Sequence, residues 1–159
     1  MTQLSNLPAP YPEGVSESEI LQWAKTILAA RFKRSNYLTS PDTTRDFLQT
    51  WLAQDERERF VLILLDNQHG IINCEVLFEG TIDGAAVYPR EIVKAALTHN
   101  AAAVVLAHNH PSGMAEPSGA DKRITARITE ALSTVDIRVL DHLVVGGCDI
   151  ISFAERGLI

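Results

Sequence analysis

Ala102-Ala103-Val104-Val105-Leu106-Ala107, then His108-Asn109-His110-Pro111, then Ser112-Gly113-Met114-Ala115-Glu116-Pro117-Ser118-Gly119-Ala120-Asp121: these residues decide how the chain folds. The first six are apolar without alternation, too short a run for a helix and of the kind that makes a fully buried strand. Pro111 has no N–H to give to a ladder, so the strand ends there. An irregular loop, His108 to Pro117, leads to a helix from about Ser118 to Leu132. A buried strand running into a helix predicts a layered α/β or α+β sandwich, whose topology periodicity alone leaves open.

His108 and His110 are two residues apart at the end of that strand. In an extended chain such side chains project to the same side, so both imidazoles can converge on one ion while Asn109 points away. Asp121 arrives within the first turn of the next helix. Two neutral imidazoles and a carboxylate are a zinc-type ligand set, and three protein ligands leave a fourth position for water, which distinguishes a catalytic site from a closed structural one. Ser118 and Asp121 are also spaced as an N-cap residue and its third helical position, which would make them helix-start punctuation. The two readings coexist.

Upstream, residues 1–15 are polar and contain Pro8, Pro10 and Pro12, the composition of a loosely held tail. Ile20, Leu21, Ala24, Ile27, Leu28 and Phe32 then recur at helical spacing behind a Ser16/Glu19 capping box. After a break at residues 35–39, Ser40 and Pro41 open a second helix with Phe47, Leu48, Trp51 and Leu52 on one face. Phe60–Leu65 and Ile71–Phe78 are predicted strands joined by a turn at Asp66-Asn67-Gln68-His69-Gly70, and Gly80–Tyr88 is a further extended segment. Pro89 opens a helix to about His99. Ile137–Val145 and Ile150–Phe153 are the last two strands, separated at Gly146-Gly147. The division expected is a tail and helix over 1–40 and a metal-binding domain over 41–159.

Composition narrows the function classes. The chain has 159 residues, 46% hydrophobic and 21% charged, as soluble globular proteins do. Its formal charge of −6, from 14 Lys+Arg against 20 Asp+Glu, opposes a bulk nucleic-acid surface, which needs basic side chains to displace phosphate counterions. Cys74 and Cys148 are isolated, so thiolate zinc and dithiol redox chemistry have no foothold. Both are expected to be buried small apolar residues. No segment reads as a signal peptide or a membrane span, so a cytoplasmic protein without a membrane partner is expected.

His108-x-His110, seven residues, Ser118, two residues, Asp121 resembles the full JAMM (MPN+/JAB) metalloprotease signature. Glu79-Gly80-Thr81-Ile82, Pro89-Arg90-Glu91-Ile92-Val93, His108-Asn109-His110-Pro111-Ser112-Gly113 and Asp141-His142-Leu143-Val144-Val145-Gly146 are similar to the bacterial RadC branch, over roughly residues 40–159. The resemblance implies a cytidine-deaminase-like JAB/MPN sandwich, a mixed sheet flanked by helices, with one Zn2+ per chain. It also implies an upstream glutamate as general base. Glu58, at the head of Arg59-Phe60-Val61, matches that context, with Glu75 and Glu79 as alternatives. The resemblance gives Ser118 a share in stabilising a tetrahedral oxyanion. His142 is read as a core histidine bonded locally, with a role behind the ligands as the alternative. His69 and His99 are read as surface residues.

The expected function is zinc-dependent hydrolysis of an amide bond in a peptide or protein substrate. The alternatives are a nucleic-acid-associated protein and a metal-binding scaffold without turnover. Longer relatives in the RadC branch carry a helix-hairpin-helix module, for which the first 40 residues are too short. A zinc deaminase is excluded, because neither H-x-E nor P-C-x-x-C occurs.

Overall fold

The computed structural model describes residues 14–34, 41–80 and 87–159. The predicted break at 35–39, the tail before Gly14 and the extended segment after Gly80 therefore lie outside the described residues. In chain order the elements are α1 (Glu17–Arg34), α2 (Pro41–Leu52), β1 (Glu58–Leu65), β2 (Ile71–Gly80), α3 (Pro89–Thr98), β3 (Ala103–Asn109), α4 (Gly119–Ser133), β4 (Arg138–Gly146) and β5 (Asp149–Ser152).

The strands make one mixed sheet in the order β2-β1-β3-β4-β5. β1 is antiparallel to β2 and β3, β3 is parallel to β4 through the α4 crossover, and β5 returns antiparallel. β1 from Phe60 to Leu65 and β3 from Ala103 to Ala107 are apolar without interruption because the sheet is covered on both faces there. Phe60, Leu62 and Leu64 of β1 join Val104 and Leu106 of β3 under α3 and α4, packing with Ile92, Ile128 and Leu132. The alternate residues Val61, Ile63 and Leu65 turn to the other face and meet Phe47, Leu48 and Leu52 of α2. This is the helix–sheet–helix sandwich predicted, and the fold is that of a JAB/MPN domain.

Local chemistry sets the boundaries. Ser16 and Glu19 form the capping box at the head of α1, with the Ser16 N–H donating to Glu19 Oε2 at 2.9 Å. In the β1–β2 turn the Asp66 carboxylate accepts from the N–H groups of Gln68 and Gly70, and His69 takes a left-handed φ of 62°. β3 runs through His108 and Asn109, further than its apolar run, because β4 still flanks it there: Asn109 pairs with Val145, and His110 N–H donates to Val145 O at 2.8 Å.

The cysteines depart from expectation. Cys148 is exposed and Cys74 half-buried. Gly147-Cys148 is the turn between β4 and β5, where no layer lies above the side chain, and Cys74 belongs to the edge strand β2. No helix among the described residues is long and apolar enough to cross a membrane.

Candidate metal centre

The sandwich brings His108, His110 and Asp121 together, as their spacing predicted. His108 leaves the end of β3 on the face packed by α4 and is fully buried, and His110 follows on the same side at the rim. Asp121, 1% exposed, sits at the third position of α4. The Nε2 atoms of the two histidines are 2.9 Å apart; His108 Nε2 lies 3.3 Å from Asp121 Oδ1, and His110 Nε2 lies 3.3 Å from Asp121 Oδ2. A tetrahedral ion with bonds of roughly 2.0–2.1 Å spaces its ligands about 3.3 Å apart. The three donors fit such an ion.

Their far sides are already spoken for, and this sets which atoms would face an ion. Thr125 Oγ1 donates to the backbone oxygen of Asp121 at 2.6 Å, so it must accept from His142 Nδ1–H, also at 2.6 Å. That leaves His142 Nε2 as an acceptor for His108 Nδ1–H at 2.8 Å. His108 Nε2 then carries a lone pair. His110 Nδ1–H donates to the Met114 carbonyl at 2.8 Å, so its Nε2 carries a lone pair too. Two lone pairs facing each other this closely repel unless a proton or a metal cation stands between them. The donor set could hold such a cation.

Electrostatics agree. Burial would raise the Asp121 carboxyl, but in the metal-free protein a proton held by the His108–His110 pair, with the Ser118 hydroxyl adding to it, keeps it far below the usual carboxylate range. His110 is raised, chiefly by its bond to Asp121 and against burial. His142 is pushed well below the ordinary imidazole value by burial and then by repulsion from His108, which keeps it neutral and able to accept. His142 is thus bonded to His108 of the donor cluster, not locally in the core as expected. His99 caps α3 half-buried, with Nδ1 donating to Ala95 O at 2.9 Å and Nε2 3.2 Å from Asn73 Nδ2, so it is not a free surface residue.

Ser118 is the N-cap of α4 and completes a capping box with Asp121, as the helix-start reading of this pair predicted. Its N–H and Oγ–H reach Asp121 Oδ2 at 2.7 and 2.8 Å, and its Oγ accepts from Asp121 N–H at 3.1 Å. The hydroxyl proton is engaged by the carboxylate in this conformation.

Beside the three donors opens a cleft of about 620 Å³ lined by Glu58, His110, Ser112, Met114, Ser118 and Arg123, among others. Glu58 heads β1 and is close enough to His110 to raise it electrostatically. Glu79 pairs with Arg59 across the β1–β2 ladder, and their 3.2 Å ion pair lies on the opposite face. Glu75 pairs with Leu62, four residues further along the strand, roughly 13 Å at about 3.3 Å per residue. Of the three glutamates, Glu58 alone borders the cleft.

The floor of the loop depends on a glycine. A Cβ on Gly146 would stand 2.3 Å from Ala115 N and 2.5 Å from Met114 C, so the Met114–Ala115 backbone lies directly on β4. That close approach places the carbonyl holding His110. Neither Gly146 nor Met114 could be assigned a role from spacing. Thr125 had a signal, since it is four residues from Asp121 on one helix face.

A mixed sheet between helices, with a histidine pair leaving its central strand and an aspartate on the next helix, defines the class: a JAB-type domain with a His-His-Asp cluster that could hold one metal ion. Residues 38–158 match the family described as RadC-like JAB domain. A UPF0758 protein of Vibrio cholerae serotype O1 is 59% identical over 140 residues, 88% of this chain and 62% of that protein. One of Aeromonas hydrophila subsp. hydrophila is 60% identical over 138 residues, 87% and 62% of the two chains, and one of Vibrio parahaemolyticus is 56% identical over 140 residues, 88% and 62%. The chain belongs to the RadC family. It spans about three fifths of the length of the curated relatives it matches.

Proposed function

We propose that this domain is a zinc-dependent metallopeptidase or isopeptidase that hydrolyses an amide bond in a peptide or protein substrate. The observation that carries the reading is the set of three oriented donors opening onto a cleft bordered by Glu58. His108 Nε2, His110 Nε2 and Asp121 would hold one divalent cation. Such an ion supplies Lewis acidity, acidifying a water and polarising a carbonyl oxygen.

This chain's residues do the rest. Glu58 takes the proton of the attacking water at a carboxylate oxygen and returns it to the leaving amine nitrogen, so atoms and charge balance over the cycle. A carboxylate at the mouth of the cleft suits that shuttle. Ser118 contributes by rotating its O–H from Asp121 Oδ2 to the developing oxyanion; Asp121 Oδ2 keeps the Ser118 N–H meanwhile. His142 and the Met114 carbonyl hold the two imidazoles in the tautomers the ion requires.

The test is metal analysis of the wild type beside His108→Ala and Asp121→Ala, paired with hydrolysis of a peptide library with and without chelator. Stoichiometric zinc that both substitutions abolish, with chelator-sensitive cleavage that Glu58→Gln abolishes while zinc stays bound, supports the reading. Bound zinc with no cleavage of any peptide or isopeptide would leave a metal scaffold in its place.

A further inference from the structure

Asn109 stands between the two histidines in sequence but behind them in space, and it is 2% exposed. Its carboxamide is fully used. Oδ1 accepts from Arg59 N–H at 2.8 Å, and Nδ2 donates to Arg57 O at 3.0 Å and more weakly to Asp55 O at 3.4 Å. The Arg57 carbonyl belongs to the peptide unit before Glu58 and the Arg59 N–H to the unit after it. One side chain therefore grips both peptide units flanking Glu58.

The backbone alone does not do this. The β1–β3 ladder ends at the pair Phe60–His108, and beyond it His110 N–H turns to β4. The head of β1 would be left without a partner on this side. A primary carboxamide offers one acceptor and a donor pair in a plane, as a peptide group does, and so it supplies the missing rung. Aspartate could accept from Arg59 but not donate to Arg57, and alanine could do neither. A partly buried donor and acceptor left without partners would then loosen the strand head that carries Glu58.

We infer that Asn109 is a positioning residue: it fixes Glu58 relative to the metal site from the opposite face of the sheet, coupling the base to the strand that carries His108 and His110. The inference rests on the role given to Glu58 above. It concerns geometry, so position is what the test reads.

The full 159-residue chain is loaded with Co2+ and its glutamates labelled with 13C at the carboxyl carbon. The paramagnetic shift of the Glu58 carboxyl, assigned with Glu58→Gln, reports its distance and direction from the ion. The wild type is expected to give one shift corresponding to a carboxylate oxygen within roughly 5 Å of the ion, a metal–oxygen contact of ~2.1 Å plus a hydrogen bond of ~2.7 Å. In Asn109→Ala that shift should fall by about half or more through averaging, with exchange at the Arg59 amide about tenfold faster. Co2+ affinity should stay within about threefold and the Glu130 shift should not move, results that general loss of structure would not give. Asn109→Asp, which keeps the acceptor, serves if the alanine variant fails to fold, and should show the same selective change.

An unchanged Glu58 shift in the variants that fold overturns the inference. A wild-type shift placing Glu58 far outside reach of the ion overturns the role of Glu58, and the inference with it. The two failures are read from different samples.

Discussion

At the scale of the residue, the centre depends on proton bookkeeping. His142 accepts from His108 only while neutral, and its burial keeps it so. Replacing it with phenylalanine preserves a ring among Phe60, Phe153 and His108 but removes the acceptor. We expect His142→Phe to lower zinc affinity about 10–100-fold, measured by chelator competition, with Thr125→Val weaker in the same direction. His110 and Asp121 give a second expectation. In the metal-free protein the raised His110 contributes stability that is fully present below the unfolded imidazole value, about 6.5, and lost as pH rises through its folded pKa. A metal must displace that proton, so binding weakens on acidification from above about pH 6.5. The rise in melting temperature on adding zinc should therefore grow from pH 5.5 to pH 8, and a flat or falling rise would contradict the assignment.

His108, His110 and Asp121 were legible because they follow from period-two projection and metal chemistry, which are local. Asn109 and His142 were not. The bonds they make depend on which strands lie beside β3: His142 reaches His108 because Leu106 pairs with His142 in the parallel register, and Asn109 reaches residues 55–59 because β1 lies on its other side. Neighbours in a sheet are not neighbours in sequence. The choice among Glu58, Glu75 and Glu79 was open for the same reason, and the β1–β2 register resolves which of them borders the cleft.

At the scale of the element, the loop from His110 to Pro117 is a working part that leans on β4. Gly146→Ala would drive a methyl into the Met114–Ala115 backbone. Overpacking of this kind costs about 1–3 kcal/mol, visible as a lower denaturation midpoint. Because the Met114 carbonyl would move from His110, zinc affinity should fall as well. The Glu116–Arg156 pair that ties the same loop to the C-terminal turn is largely exposed, so Arg156→Ala should change stability by less than about 1 kcal/mol. The contrast between the two variants tests whether β4, and not the surface ion pair, holds the loop. The helix starts were readable from capping chemistry at Ser16 and Ser118. The end of β3 was readable from Pro111, which has no N–H for a ladder: β3 stops at Asn109 and His110 N–H makes the last bond to Val145 O.

At the scale of the whole molecule, two apolar layers meet on a sheet whose central strands have no solvent-facing side. Leu62 and Leu106 are fully buried on the layer beneath α3 and α4. Leu106→Ala should destabilise the fold by about 2–5 kcal/mol, measured by urea denaturation of the metal-free protein. The layer pattern was readable because continuous apolar strands alternating with amphipathic helices admit few arrangements. The strand order was not, because pairing of β1 with β3 across the intervening α3 leaves no trace in spacing.

The closed circuit running from His108 through His142 and Thr125 to the backbone of Asp121 ties two of the donors to each other before any ion arrives. Loading such a centre orders almost nothing. Unlike a zinc finger, whose fold waits for its ion, this domain should show the same far-ultraviolet circular dichroism with and without zinc. Its grip on the ion is then set by the donors alone, undiminished by any cost of folding, and exchange with surrounding chelators should proceed without unfolding.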